Sequence, residues 1–207
     1  MKKAQFSKKE AVEFGFGIAK NNLLFFIGLL IVVVFVSVVA SALRGEAQKS
    51  ALVYTALTIV QYLVNIIIGM GLIRISLEFI GKLKPKIRDL FYYKPIVSYI
   101  LASIINGIIV VLGLILLIIP GIILAIRLQY TTYLIVDKNL GPLEAIKKSW
   151  KITRGNTWNL FFLGIILGLI NILGVLCLLV GLFITVPLGM LATTFVYRKL
   201  LLQSEAA

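Results

Sequence analysis

The sequence predicts an all-α polytopic membrane protein, with six transmembrane helices and short amphipathic helices at the cytoplasmic interface. Of its residues, 60% are hydrophobic, whereas soluble domains are about 45–50% apolar. Apolar runs of about 20 residues are long enough to cross a hydrocarbon core of about 30 Å. Basic clusters separate the runs, and a length of 207 residues suits a single membrane domain, 1–207. The six predicted spans are residues 22–42, 51–73, 96–116, 122–136, 158–179 and 188–201.

The N-terminal segment is rich in lysine and precedes the first span. Ser7 is followed three residues later by Glu10, a capping box that predicts the start of a helix. Mixed apolar and charged residues up to Lys20 indicate a helix in the membrane interface, with a soluble tail as the alternative. The apolar run that follows is too long for the core of a signal peptide, so we expect the segment to be retained.

The second span ends beside an ionisable pair and a basic link. Arg74 and Glu78 lie one helical turn apart, so their side chains can pair near the cytoplasmic end of the helix. Structural pairing explains them better than a role in transport. In the basic link, the sequence IRDLFYY predicts a short interfacial helix, because tyrosine favours the headgroup zone.

The fourth span carries the most central charge of the chain. The third span is followed by an uncharged turn that ends at Pro120-Gly121, and we expect the fourth span to begin at residue 122. This short span contains Arg127 and Gln129. An arginine inside a membrane needs a carboxylate, a carbonyl, water or a lipid phosphate as its partner.

Two hypotheses for the intramembrane polar residues stay open. In one, Arg127, Arg74 and Gln129 line a polar cavity for an anionic headgroup or a small solute. In the other, they form a structural network that includes Asn65, Asn106 or Gln61. The candidate residues are Arg127, Gln129, Arg74, Glu78, Asn106 and Asn171.

The segment after the fourth span predicts the most amphipathic helix of the chain. Gly141-Pro142 starts it, because proline in the first turn removes no helical hydrogen bond. Its charged side chains fall on one stripe, and Trp150 lies on the other side, where it is suited to the headgroup zone. We expect a basic collar that binds anionic lipid headgroups, formed by Lys147, Lys148, Trp150, Lys151 and Arg154.

The last two spans are joined by a second uncharged turn, which leads to Pro187. The fifth span contains Gly164 and Gly168 at the GxxxG spacing that allows two helices to approach closely. Such matches are common in apolar runs, so this signal is weak.

Lysine and arginine are concentrated in alternate links. The N-terminal segment and the links after spans two and four hold five each, whereas the three opposite links hold only Arg44 and Lys49. This positive-inside bias predicts that both termini lie in the cytoplasm.

Parts of the chain are similar to one another. EAVEFGFGIAKNN, then LLFFIG, from residue 10 is echoed by EAIKKSWKITRGN, then TWNLFFLG, from residue 144. Tyr130 and Tyr197 each follow a proline by ten residues. These echoes suggest three helical-hairpin repeats, residues 1–80, 81–138 and 139–207, with chance similarity between apolar runs as the alternative.

One set of residues in and after the fourth span stands out as a signature: Pro120-Gly121, Asp137, Glu144-Ala145, Ser149-Trp150 and Thr153-Arg154-Gly155-Asn156. These residues resemble the signature of a family of uncharacterised prokaryotic membrane proteins. The family includes the membrane domain fused to some glycerophosphoryl diester phosphodiesterases. The resemblance implies a six-helix domain of a prokaryotic cytoplasmic membrane. It does not imply phosphodiesterase activity, which belongs to a separate soluble domain rich in histidine and acidic metal ligands.

The composition argues against several functions. The chain has no histidine and one cysteine, Cys177, which disfavours acid–base catalysis by histidine, the usual hydrolytic triads and most metal sites. We therefore expect no enzyme, no cofactor and no metal. The net charge of +13 follows from membrane topology rather than from nucleic-acid binding.

We expect a non-enzymatic integral membrane protein that interacts with anionic lipids or serves as an accessory or scaffold subunit. A protein partner or a second copy of the chain is compatible with either role. The alternative is a transporter or channel for a small or anionic solute, with its polar site around Arg127.

Overall fold

The computed structural model is a bundle of α-helices and describes residues 6–46, 50–177 and 180–206, in which no strand occurs. A 3₁₀ helix, Ile87–Phe91, lies between the third and fourth helices. The α-helices are α1 (Lys8–Asn21), α2 (Leu23–Glu46), α3 (Ala51–Ile80), α4 (Ile96–Leu116), α5 (Ile118–Leu128), α6 (Thr131–Lys138), α7 (Pro142–Thr153), α8 (Thr157–Leu176) and α9 (Leu182–Glu205).

Five stretches in the described ranges are long and apolar enough to cross a membrane. The helix α9 is not among them. Its buried residues lie around its full circumference at about 100° per residue, because α1, α3 and α8 pack on it. A helix covered by protein needs fewer apolar side chains than one that faces lipid. The five stretches are Leu23–Gly45, Ala51–Ile80, Ile96–Leu116, Ile118–Lys138 and Thr157–Leu176.

Two predicted turns end earlier than expected, because each proline lies inside a helix. Leu117, with φ −161° and ψ 143°, makes the turn, and α5 begins at Ile118. Pro120 is in the first turn of α5, where its missing N–H costs little. Pro187 likewise lies within α9. The predicted fourth span is also interrupted at residues 129–130, between α5 and α6.

The other boundaries differ from the predictions by one or two turns. The third span matches α4, the first extends to Glu46, and the second extends to Ile80. The fifth ends earlier, at Leu176, and its predicted end at residue 179 lies outside the described residues. Lys2 and Lys3, which contribute to the charge bias, and Lys49, which counts against it, also lie outside them.

The predicted N-terminal helix exists and lies along α9. Ser7 Oγ caps it by accepting a hydrogen bond from the Glu10 N–H at 3.3 Å. Glu10 pairs with Lys199 at 2.6 Å, and Phe14 stacks on Phe195 with ring centroids 4.5 Å apart. The helices α1 and α9 are therefore antiparallel. The position of α1 in a membrane interface stays a prediction. The face toward the bundle consists of small residues, Ala11, Gly15 and Ala19.

Ion pairs gather the charged segments at one end of the bundle, which we call the charged end. Thr194 lies in α9, one helical turn before Arg198, and its hydroxyl donates a hydrogen bond to Ser76 Oγ at 2.8 Å. Because Ser76 is in the last turns of α3, this helix also ends at the charged end. The start of α1, the end of α6, α7 and the end of α9 meet through three pairs: Lys199–Glu10 at 2.6 Å, Arg198–Asp137 at 3.0 Å and Lys148–Glu205 at 3.5 Å.

Glycines close the two hairpins away from the charged end. Gly113 approaches Gly121 between α4 and α5, and Gly174 approaches Gly181 between α8 and α9. By contrast, a Cβ at either residue of the GxxxG pair in α8 would meet no described atom within 4 Å. The GxxxG pair therefore makes no close helix contact within the described chain. The three-repeat arrangement stays a prediction.

Candidate functional site

An apolar groove of about 380 Å³ lies between α5 and α8. One wall is a stripe of isoleucines on α5, at positions 119, 122, 123 and 126, whose spacing places them on one helical face. The other wall is the first turn of α8, with Trp158 and Phe161. Both walls consist of large apolar side chains, so the groove suits a hydrocarbon chain.

Arg127 provides the cation of this groove. Its guanidinium Cζ lies 4.4 Å from the centre of the Trp150 ring, a cation–π contact between α5 and α7. Its Nε is buried and has no hydrogen-bond partner in the described part of the chain. Within the same residues, no carboxylate oxygen lies within 4.0 Å of its nitrogens. The Trp150 ring therefore stabilises the positive charge of Arg127, and among the described residues the Nε–H has no acceptor.

The backbone of Arg127 is fixed by α7. The Ser149 hydroxyl donates to the Arg127 carbonyl at 2.7 Å, and the Thr153 hydroxyl approaches the same oxygen at 3.3 Å. Where a helix is interrupted, carbonyls lose helical partners, and side-chain hydroxyls can replace them. The interruption after α5 and the hydroxyls on α7 therefore act together to position Arg127.

The polar end of the groove has features that favour an anion. Gly155 and Thr157 line it beside Arg127, at the start of α8. The first N–H groups of an α-helix lack partners within the helix and attract negative charge. No acidic residue lines the groove within the described residues. The arrangement can bind an anionic group next to an apolar chain.

The predicted collar adjoins this end. Lys147, Lys151 and Arg154 are exposed on α7, whereas Lys148 is half-buried and pairs with Glu205. Trp150, which the sequence suggests as a residue of the headgroup zone, contacts Arg127. The collar and the intramembrane arginine, which the sequence treats as separate, therefore meet at one place.

Comparison with known proteins identifies the family. The family DUF7847, described as a domain of unknown function, matches residues 51–206. The chain belongs to the DUF7847 family. No curated protein and no solved structure matches the chain. The match gives no activity and shows no link to glycerophosphoryl diester phosphodiesterases.

The DUF7847 region contains the Arg127 groove, the collar and every candidate polar residue, whereas α1 and α2 precede it. Arg74 and Glu78 form the expected ion pair, Nε to Oε1 at 2.7 Å, and Arg74 also lies over the Tyr92 ring. Gln129 is exposed at the helix interruption.

Apart from the Arg74–Glu78 pair, no described contact joins the six polar candidates. The Oδ1 atoms of Asn106 and Asn171 are buried without partners in the described ranges. Arg127 has no described hydrogen bond, ion pair or ring contact with the other five, nor with Asn65 or Gln61. The site of the DUF7847 region is therefore centred on Arg127, Trp150 and the groove.

The groove walls have no distinguishing sequence signal. The isoleucines of α5 have helical spacing, but they lie in an apolar stretch without polar positions for contrast. Trp158 and Phe161 belong to another apolar stretch, in which many residues are of the same type. Only the pairing of α5 with α8 distinguishes them.

Proposed function

We propose that the protein is a non-enzymatic integral membrane protein that binds an anionic phospholipid in the Arg127 groove, alone or as an accessory subunit. The observation that supports this most is an apolar groove that ends at a guanidinium whose buried Nε has no hydrogen-bond partner among the residues that the structure describes. A phospholipid matches these two parts, because it has an apolar acyl chain next to a negatively charged phosphodiester. The bound lipid would place its phosphate at Arg127.

The dimensions and charges are consistent with this ligand. From Ile119 to Ile126 the α5 wall is about 10 Å long, enough to hold part of one acyl chain. Guanidinium groups bind phosphate with strong, charge-assisted hydrogen bonds. The exposed collar cations add attraction for an anionic headgroup, about 1 kcal/mol for each cation near the surface.

The proposal includes a topology. The helix α9 is the sixth span, and the charged end faces the cytoplasm of a prokaryotic cell, with both termini on that side. The support is that α1, α3, α6, α7 and α9 bring their basic segments to one end. Three hairpin repeats and kinship with the membrane domain of glycerophosphoryl diester phosphodiesterases belong to the same proposal.

The change Arg127→Met tests lipid binding because it keeps an unbranched apolar stem and removes the charged guanidinium. We expect at least about tenfold weaker binding of phosphatidylglycerol, measured by native mass spectrometry in detergent, since hydrogen bonds to charged groups contribute about 1.5–3 kcal/mol. Arg88→Met is the matched control, because Arg88 is exposed and lies outside the groove. Equal binding by the wild type and Arg127→Met would refute the proposal.

One observation favours the alternative of a transporter. The return helix is interrupted at residues 129–130, beside Arg127, and interrupted helices form substrate sites in many transporters. Flux of a small anion into liposomes distinguishes the two. Flux that Arg127→Met abolishes, with phosphatidylglycerol binding unchanged, would support the transporter.

A further inference from the structure

We infer that the protein has a second site for an anionic lipid, in a cleft between α1, α2 and the end of α3. This lysine cleft, defined by Lys82, Lys84, Phe14, Phe25 and Phe79, has a volume of about 470 Å³. It lies at the charged end and shares no lining residue with the Arg127 groove. The inference therefore does not depend on the proposed function of that groove.

The turn after α3 places the two lysines at the cleft. Gly81 ends the helix, and Lys82 takes a left-handed conformation with φ 57°. The Leu83 N–H then donates to the Glu78 carbonyl at 2.9 Å, which fixes the turn. Lys82 and Lys84 are exposed and line the cleft. Their position results from a hydrogen-bonded backbone rather than from a loose loop.

The floor of the cleft is aromatic and well packed. The Phe25 and Phe79 rings meet edge to face at 5.5 Å, and Phe79 also stacks on the buried Phe26 at 5.1 Å. Phe14 is held by its stacking on Phe195. The floor thus offers apolar surface whose shape is set by the protein core.

The rim has unbalanced positive charge. Within the described residues, neither Lys82 nor Lys84 forms an ion pair. The nearest carboxylates in sequence are already engaged, Glu78 with Arg74 and Asp89 with the Lys86 N–H. A ligand of this cleft therefore carries negative charge.

The apolar surroundings identify the ligand as a lipid. Leu24, next to Phe25, is 86% exposed at the start of a stretch long and apolar enough to cross a membrane. Leu83, between the two lysines, is 61% exposed. The cleft is therefore continuous with a surface that suits acyl chains. A phospholipid can place its phosphate beside Lys82 and Lys84 and its acyl chain on the phenylalanines, so it contacts both the charged rim and the apolar floor. A soluble phosphate compound contacts only the charged rim.

The test compares two double variants of the full chain with equal loss of charge. We expect Lys82→Gln/Lys84→Gln to weaken phosphatidylglycerol binding at one site by at least about tenfold, measured by native mass spectrometry against phosphatidylcholine. The control Lys86→Gln/Lys94→Gln removes two nearby cations that do not line the cleft. It should leave binding unchanged. Glycerol 3-phosphate, a soluble competitor, should not displace the lipid.

Three results would overturn the inference: unchanged binding in Lys82→Gln/Lys84→Gln, an equal loss in the control, or displacement by glycerol 3-phosphate. In the Arg127→Met background, loss of one lipid with retention of a second that needs Lys82 and Lys84 would support both sites. Retention of the groove lipid in Arg127→Met, with loss in the lysine variant, would refute the proposed function alone.

Discussion

Replacing Gly71 by alanine should destabilise the protein by about 1–3 kcal/mol, the usual cost of overpacking a closely packed interior. A Cβ at Gly71 would overlap the backbone of Leu90, including its carbonyl. Backbone atoms cannot rotate away as a side chain can, and Leu90 is fully buried in the 3₁₀ helix that packs on α3. The two elements must separate to admit the methyl group. Unfolding by SDS in mixed micelles measures the loss.

Gly107→Ala is the matched control. Gly107 also lies inside a helix, α4, but a Cβ there would meet no described atom within 4 Å. Alanine in a helix is favoured over glycine by roughly 0.5–1 kcal/mol, so this variant should be as stable as the wild type or more stable. A Gly71→Ala protein as stable as the Gly107→Ala protein would contradict the packing of the 3₁₀ helix on α3.

Asp137→Ala should destabilise the protein by about 2 kcal/mol, because it leaves two hydrogen-bond donors without their acceptor. Asp137 accepts from the Tyr197 hydroxyl at 2.9 Å and from Arg198 Nη2 at 3.0 Å. Its side chain is only 10% exposed, so water does not readily replace it. These bonds join the end of α6 to α9 at the charged end. The same SDS titration measures the effect.

Glu144→Ala provides the comparison for Asp137→Ala. Glu144 is an exposed carboxylate of α7 with no ion pair among the described residues. Its removal should change stability by less than about 0.5 kcal/mol, as for most surface substitutions. If the two variants were equally stable, the Asp137 network would not be a significant contributor to the charged end.

The presence of helices follows from the sequence because long apolar runs and basic links are strong signals. Helix ends follow less well. Proline predicts a turn at residues 120 and 187, but it is tolerated in the first turn of α5 and inside α9, where packing outweighs local propensity. The central position of α9 could not be predicted, because charges at its end lower its hydropathy and its burial depends on its neighbours.

The candidate site was predicted in parts. Arg127 and the collar were identified by charge, which contrasts with an apolar span. The contact of Arg127 with Trp150 does not follow from the sequence, because an arginine inside an apolar stretch suggests polar partners first. The interruption that brings α7 to α5 has no clear sequence signal. The groove walls were missed, because apolar residues that line a groove have the same composition as those that face lipid.

Fluorescence quenching by brominated phospholipids tests lipid binding at Arg127 most directly. The chain has two tryptophans, and both border this site. In Trp150→Phe, emission comes from Trp158 alone, a residue of the groove wall that is 65% exposed. In mixed bilayers, brominated phosphatidylglycerol should bind beside Trp158 about tenfold more tightly than brominated phosphatidylcholine. Adding Arg127→Met should abolish this preference. Equal quenching by the two lipids in the protein that retains Arg127 would contradict the account.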